Sequence, residues 1–178
     1  MAAGNPGVIP LLVVDSLVTA RLLLHPMTIG DAEHVLAGEP DAAWAPGYPT
    51  EGDLMAARRL LETYANIGDP RPFGNYEIRR RGDDHAIGGI GFHGAPDERG
   101  SVTIGYGLVP SARGNGYASE ALRALLDFAR ARGVTSVCGD TTHENTASQH
   151  VMTAAGMRLT GKDEKLTFYK IDWPGSVR

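Results

Sequence analysis

This chain is poor in the features that cross-link, anchor or charge a protein. It has one cysteine, Cys138, in 178 residues, so no disulfide can close within it. A lone thiol inside an apolar run is expected to be a small buried hydrophobe. Basic residues are not in surplus, since 17 Lys and Arg stand against 21 Asp and Glu, a formal net charge of −4. Binding to a phosphate backbone is driven by excess Lys and Arg, so nucleic acid is not expected as a partner. The balance weakly favours a cationic or amine substrate, through long-range attraction alone. The N-terminal apolar run Val8–Val14 contains Pro10 and stops at Asp15, far short of the roughly 20 residues that span a bilayer. No Lys or Arg precedes it, so the charged start of a secretory signal is missing. Repeats, low-complexity tracts and internal linkers are absent as well. The expectation is a cytoplasmic protein without a membrane partner. Residues 1–18 read as a lead-in, 19–173 as one domain and 174–178 as a tail.

What is present is an ordinary globular composition, 42% apolar and 21% charged, in a length that suits one well-buried domain. Arg21–His25 reads as a strand stopped by Pro26. Thr28-x-x-Asp31 has the form of a helix N-cap with an acidic third position, and predicts a short helix to about Ala37. Gly38–Pro49, rich in Pro and Gly, reads as a loop carrying Trp44 and Tyr48. Thr50-x-x-Asp53 caps a second helix with Leu54, Ala57, Leu61 and Tyr64 on one face, ended by Gly68-Asp69-Pro70. Strand-like runs near 73–81, 85–93 and 101–108 are separated by turn signals, which argues for antiparallel hairpins. In the last of these, Val102, Ile104, Tyr106 and Leu108 share one face, and Ser101, Thr103, Gly105 and Gly107 the other. The small-residue face leaves room for a ligand. A helix over 117–131, a buried strand Val134–Thr141, a helix from Asn145 to Gly156 and strands near 157–162 and 165–172 complete the order βααβββαβαββ. The fold class is α/β (α+β), in a single mixed domain.

The strongest chemical signal is Ser111-Ala112-Arg113-Gly114-Asn115-Gly116-Tyr117-Ala118, between a strand and a helix. A Gly-x-Gly turn entering a helix presents several unpaired backbone N–H groups, and the helix dipole adds partial positive charge. Such a turn suits a phosphate or pyrophosphate, and glycine lets the backbone approach the anion closely. Alone, the same pattern also serves as a plain strand-to-helix connection. A Walker A loop would require Gly-Lys-Ser/Thr at its end, and no Lys is near. A dinucleotide fingerprint would require a third glycine where Ser119 stands.

Arg113-Gly114-Asn115-Gly116-Tyr117-Ala118 with Glu120-Ala121 resembles the acyl-CoA pyrophosphate loop of the GCN5-related N-acetyltransferase (GNAT) superfamily. Ile104-Gly105-Tyr106-Gly107-Leu108-Val109-Pro110 is similar to that superfamily's fourth strand, and Asn145-x-x-Ser148 with Ala155-Gly156-Met157 to its Asn-x-x-Ser/Ala…Gly-Phe motif. Thr19-Ala20-Arg21-Leu22-Leu23-Leu24 with Asp31-Ala32-Glu33 resembles the branch of ribosomal-protein N-terminal acetyltransferases. The matches run in order across about residues 19–173.

The resemblance implies a mixed, mostly antiparallel sheet with a splay between the fourth and fifth strands and helices on both faces. It implies acetyl transfer from acetyl-CoA to a primary amine, either a small molecule or a protein N-terminus, by direct transfer and without a metal. Dimers are common in the superfamily, so a homodimer is a further expectation. Amides across Arg113–Ala118, including Gly114, Asn115, Gly116 and Tyr117, would hold the pyrophosphate. Leu108 and Val109 would pair with the pantetheine arm, and Asn145 would bond it as well. The Tyr found in many members seven residues after the motif Asn is Met152 here, so Ser148 is the candidate proton donor, with helix capping as its alternative role. The Glu common in the fourth strand is Thr103, which leaves Glu77, His93, Asp140, His143 and Glu144 as candidate bases, Asp140 being placed beside the splay. Trp44, Tyr48, Phe73 and Tyr76 are candidates for the acceptor pocket, and packing is their alternative role. The departures at Met152 and Thr103 also admit a catalytically degenerate CoA-binding module, and a nucleotide-binding structural domain is a third reading.

Overall fold

The structure is a computed structural model that describes residues 16–174; the Val8–Val14 run and the tail from residue 175 lie outside the described residues. Its strands are β1 (Leu17–Val18), β2 (Leu22–Pro26), β3 (Asn75–Arg80), β4 (Ala86–Phe92), β5 (Ser101–Leu108), β6 (Ser136–Thr142), β7 (Arg158–Lys162) and β8 (Leu166–Asp172). The helices are α1 (Ile29–Ala37), α2 (Glu51–Ile67), α3 (Tyr117–Ala131) and α4 (Thr146–Ala154). The expected order βααβββαβαββ is therefore found, preceded by one further two-residue strand. That strand falls inside the expected lead-in, where it pairs with β2 through Leu17 opposite Leu24 and Val18 opposite Leu23. Two residues carry no periodicity, so only the pairing reveals it.

Local chemistry explains where the helices begin. Thr28 and Thr50 each accept a bond from the amide three residues on, and Asp31 and Asp53 each accept one in turn from the Thr backbone amide. Both are complete capping boxes, in which two orphan donors are satisfied reciprocally. At α4 the Asn145 side chain accepts from the Ser148 amide.

All strands form one sheet in the order β1-β2-β3-β4-β5-β6-β8-β7. Each neighbouring pair is antiparallel except β5 and β6, which run parallel. Their pairing covers only Ser101–Thr103 against Ser136–Cys138. Beyond that point the strands part, while β6 stays paired to β8 along its whole length. The sheet is thus splayed at its centre.

Side-chain alternation assigns the faces. A Cβ on Gly89 would meet Asp53 of α2, whereas Phe92, three residues on, packs its ring 6.3 Å from Phe128 of α3. Residues an odd number of positions apart on a strand point to opposite sides, so α2 and α3 cover opposite faces. The α3 face holds the denser core, with Tyr76, Ile78, Ile90, Ile104, Leu122, Leu125 and Phe128 all buried. The α2 face is floored by glycines at 89, 91, 105 and 107 and keeps space above it. Among the described residues no helix is long and apolar enough to cross a membrane.

Candidate active site

The turn after β5 is built to leave a helix end open. Gly114 and Gly116 both sit at φ +78°, a conformation that favours glycine, and Gly116 is the N-cap of α3. With no side chain at the cap, nothing closes the first turn. Among the described residues the amides of residues 114–116 find no acceptor, and the first-turn amides of Tyr117, Ala118 and Ser119 have none within the helix. The turn is nevertheless held firmly. Asn115 Nδ2 donates to the carbonyls of Ala112 and Arg113 at 3.2 and 3.1 Å. Arg21, just before β2, reaches across, donating to the Asn115 carbonyl at 2.8 Å and to Glu120 at 2.7 Å, and lies 4.6 Å over the Tyr117 ring. An exposed, preorganised dipole end of this kind binds anions.

Beside the turn runs an unpaired strand edge. His93 N donates to Thr103 O, and Val109 N to Ile87 O, at 2.8 and 2.9 Å. Hydrogen-bonding residues alternate along an antiparallel ladder. Odd-numbered residues of β5 therefore face β4, and the backbone groups of Tyr106 and Leu108 face the splay. The Leu108 carbonyl takes the Arg113 Nε at 3.1 Å. The edge free to accept an added strand therefore comprises the Tyr106 amide and carbonyl and the Leu108 amide. Val109, expected from sequence to share in that edge, has its amide committed to Ile87. Arg113 contributes its side chain to the strand end, not to the mouth of the turn.

Two hydroxyls meet at the splay. Tyr106 Oη lies 2.8 Å from Ser148 Oγ and donates to the Ser148 carbonyl at 3.1 Å. Burial pushes the Tyr106 phenol above its usual value of 10, so it keeps its proton near neutrality. The capping oxygen of α4 belongs to Asn145, which leaves the Ser148 hydroxyl out of the cap. Met152 is a core plug, 1% exposed, with its sulfur 3.0 Å from where a Cβ on Gly139 would stand.

On the α2 face a cavity of about 200 Å³ opens over the glycine floor. Nothing lies within 4 Å of the Cβ position of Gly107, so the space stands directly above that residue. Two polar atoms flank it. Asp53 Oδ1 lies 2.7 Å from the Cβ position of Gly89, the cross-strand partner of Gly107. His93 Nε2 lies 2.8 Å from that of Gly105, two residues back along β5. Burial, then the charge of Arg59, push the His93 pKa below its usual 6.5, against an opposing pull from Asp140. His93 is therefore uncharged near neutral pH. Burial, with Glu77 adding to it, raises the Asp53 pKa against bonds from Thr50.

The other expected residues fall elsewhere. Asp140 is exposed on β6 and does not line the cavity, although its field reaches His93. His143 has both ring nitrogens engaged, by Thr167 Oγ1 at 2.9 Å and the Asp163 carbonyl at 3.0 Å. Glu144 is exposed. Glu77 is buried and bonded by Tyr48 Oη at 2.9 Å and Arg79 Nε at 2.6 Å. Of the four aromatics only Tyr76 borders the cavity, and its ring packs 6.1 Å from Phe128 while its hydroxyl bonds Pro72 O. Trp44 packs between His34 and Tyr48 in tilted and edge-on contacts, and Phe73 packs 5.2 Å from Phe92. Tyr106, Asp53 and Arg59 enter the site without having been singled out. Glycines at 89, 91, 105 and 107, with His93 next in the same alternation, are the signal that would have found this floor. Among the described residues no group of three or more His, Cys, Asp or Glu is arranged to hold a metal ion.

A splayed sheet, an open helix end at the splay and a covered cavity across the strand describe a group transferase working on an extended, phosphate-bearing donor. The acetyltransferase (GNAT) domain profile matches residues 21–158, and the chain belongs to that family of acetyltransferases. It is 28% identical over 151 residues to the uncharacterized N-acetyltransferase YjdG of Bacillus subtilis, covering 81% of this chain and 90% of that protein. Its fold is similar to that of RimL, a ribosomal L7/L12 alpha-N-protein acetyltransferase solved in complex with coenzyme A. The TM-score is 0.66 at 18% identity, over 89% of this chain and 98% of that one. It is similar also to the ribosomal-protein-S5-alanine acetyltransferase of Vibrio fischeri, at a TM-score of 0.65 and 14% identity over 88% and 96% of the two chains.

Proposed function

We propose that the protein transfers an acetyl group from acetyl-CoA directly to a primary amine, with the donor in the splay and the acceptor in the glycine-floored cavity. The observation that carries this reading is the adjacency of three features. The open α3 end at Gly114–Ala118 suits a pyrophosphate, the Tyr106–Leu108 edge suits a peptide-like arm, and the Tyr106–Ser148 hydroxyl pair stands where the arm would end. Bound acetyl-CoA supplies an activated thioester. Asn145 holds the start of α4 against the same opening.

Transfer forms one C–N bond and breaks one C–S bond; a proton leaves nitrogen and one returns to sulfur. His93 is the base of this reading, because it lines the acceptor cavity, is uncharged near neutrality and stands over Gly105 of the opened strand. It replaces Asp140, which acts only on the His93 charge. Ser148 donates to the departing sulfur, and Tyr106 returns a proton to the Ser148 oxygen and is itself reprotonated from solvent. The net charge of −4 goes with an amine acceptor and without nucleic acid, and a cytoplasmic location belongs to the same reading.

Calorimetric titration with acetyl-CoA, with ATP and NAD as controls, tests the donor site. Saturable binding of acetyl-CoA alone supports the reading, and preference for ATP or NAD overturns it. Binding without turnover on a broad amine panel would instead favour the degenerate module, for which Met152 in the core is the motivating observation.

A further inference from the structure

The acceptor cavity is electrically lopsided, and one of its atoms is left without a partner. Asp53 is 5% exposed. Its Oδ2 takes both the Thr50 amide and hydroxyl, at 2.8 and 2.7 Å, while its Oδ1 accepts nothing among the described residues. Among the described residues no fully enclosed side-chain polar atom lacks a partner, so Oδ1 reaches open space, and the space that Asp53 lines is the cavity. The neighbouring acid is differently placed. Glu77 is matched by Arg79 and by Tyr48, whereas no cation is among the groups that act on Asp53. One uncompensated carboxylate therefore faces the acceptor space. A buried charge without a counter-ion is costly, and a cation that supplies one is held strongly.

The other end of the cavity has the opposite character. Arg59 lines it six residues further along α2, about 9 Å by helical rise. Its charge acts on His93, and no bonded partner for it is found among the described residues. An ammonium group is repelled there and attracted at Asp53. Asp53 Oδ1 and His93 Nε2 stand over diagonal corners of the floor, about 8 Å apart by strand spacing and rise. Hydrogen bonds of about 2.8 Å at each end leave roughly 3 to 8 Å between two nitrogens. That span matches a short diamine.

We propose that the acceptor carries a second cationic amino group a few bonds from the nitrogen that is acetylated, and that Asp53 Oδ1 receives it. This rests on the reading of the α2-face cavity as the acceptor site. Asp53 is then a specificity residue and takes no part in the proton transfers.

The test compares ethylenediamine and trimethylenediamine with propylamine as acceptors for the wild type, Asp53→Asn and Gly89→Ala. Gly89→Ala places a methyl group 2.7 Å from the present position of Oδ1, too close for both to stay, and so displaces the oxygen from the subsite without removing the carboxylate. The expected result is a diamine preference of about tenfold or more, read as the ratio of diamine to propylamine kcat/KM within each protein and lost in both variants, with acetyl-CoA affinity the same. A thermal-shift titration with trimethylenediamine, without acetyl-CoA, reads the subsite apart from catalysis; wild type is expected to be protected and Asp53→Asn not. If the diamine protects wild type and the variants alike, or if turnover favours propylamine or a peptide N-terminus, the inference is wrong. Failure of acetyl-CoA to bind, with Asp53-dependent diamine protection intact, would overturn the transferase reading and leave the subsite standing. Should Asp53→Asn fail to fold, Gly89→Ala decides alone.

Discussion

Two helices of this protein begin in the same way and a third does not, and the contrast separates structural ends from functional ones. Thr28–Asp31 and Thr50–Asp53 are matching capping boxes, with the acid's Oδ2 taking the Thr amide at 2.7 and 2.8 Å and the Thr hydroxyl at 2.7 Å in both. At α3 the cap is Gly116, which offers nothing. Capped ends have their donors satisfied inside the fold; the uncapped end leaves its donors open. The two boxes then diverge in turn. Asp31 faces His25 at 3.3 Å, and although burial acts to raise its pKa, bonds from His25 and Thr28 hold it well below the usual carboxylate range. Asp53 faces a glycine floor, and burial drives its pKa up. One motif thus yields a carboxylate paired with a histidine on α1 and, on α2, a carboxylate with one oxygen left open to the cavity.

The sharpest way to break the first contrast is to put charge at the open end. Gly114→Glu places a carboxylate at a position with no heavy atom within 4 Å, so the fold accepts it apart from the strain of φ +78°. Acetyl-CoA affinity should fall by about 100-fold or more in calorimetry, with the circular dichroism spectrum unchanged. Retained affinity would mean that the donor phosphates bind elsewhere. Next in size is His93→Gln, for which a fall in kcat of about 100-fold is expected with little change in acetyl-CoA affinity. The wild-type rate should fall as pH drops through a pKa lower than 6.5, and the variant should lack that limb. An unchanged acid limb would remove His93 as base. Ser148→Ala follows, with kcat down about tenfold and α4 intact, because the cap oxygen belongs to Asn145. An unaltered rate would reduce the Ser148–Tyr106 pair to packing.

Much of this was legible in the chain, for a physical reason. Caps, turn glycines and alternation are short-range, so Thr28, Thr50, Asn145 and the Gly-x-Gly turn set helix starts that the fold reproduces. The small face of β5 was readable in the same way. What could not be read depends on contacts between distant segments. Tyr106 sits on the bulky face as alternation requires, but its partner Ser148 lies 42 residues away. The aromatics Trp44 and Phe73 were candidates by residue type, and tertiary packing sets both against neighbouring rings, away from the cavity. Asp140 stands on the expected strand end but does not line the cavity, whereas His93 does.

The divergence of the two boxes can be sharpened by pH. A carboxylate with a depressed folded pKa contributes stability above its unfolded value, which is lost as pH falls toward the folded one. Asp31→Asn should therefore lower the melting temperature near neutrality, with the difference shrinking in acid. Asp53 has the opposite sign, since a raised pKa means that the ionised form strains the fold. Asp53→Asn should melt at or above the wild type near neutrality, and that advantage should fade as pH falls through the raised pKa. Equal behaviour of the two variants would mean that the surroundings do not distinguish the boxes.

The smallest effect tests the caps themselves. Thr28→Ala and Thr50→Ala each remove one hydroxyl from an equivalent box, and each should cost about 1 kcal/mol, a fall of roughly 2–4 °C in melting temperature for a chain of this size. Thermally they should be near twins. In acceptor kinetics they should differ, because Thr50 Oγ1 also orients the carboxylate whose other oxygen faces the cavity. Losing it lets Asp53 turn, so Thr50→Ala should weaken the diamine preference while Thr28→Ala leaves it untouched. If both variants keep the wild-type preference, the orientation of Asp53 is set by the glycine floor and owes nothing to its cap.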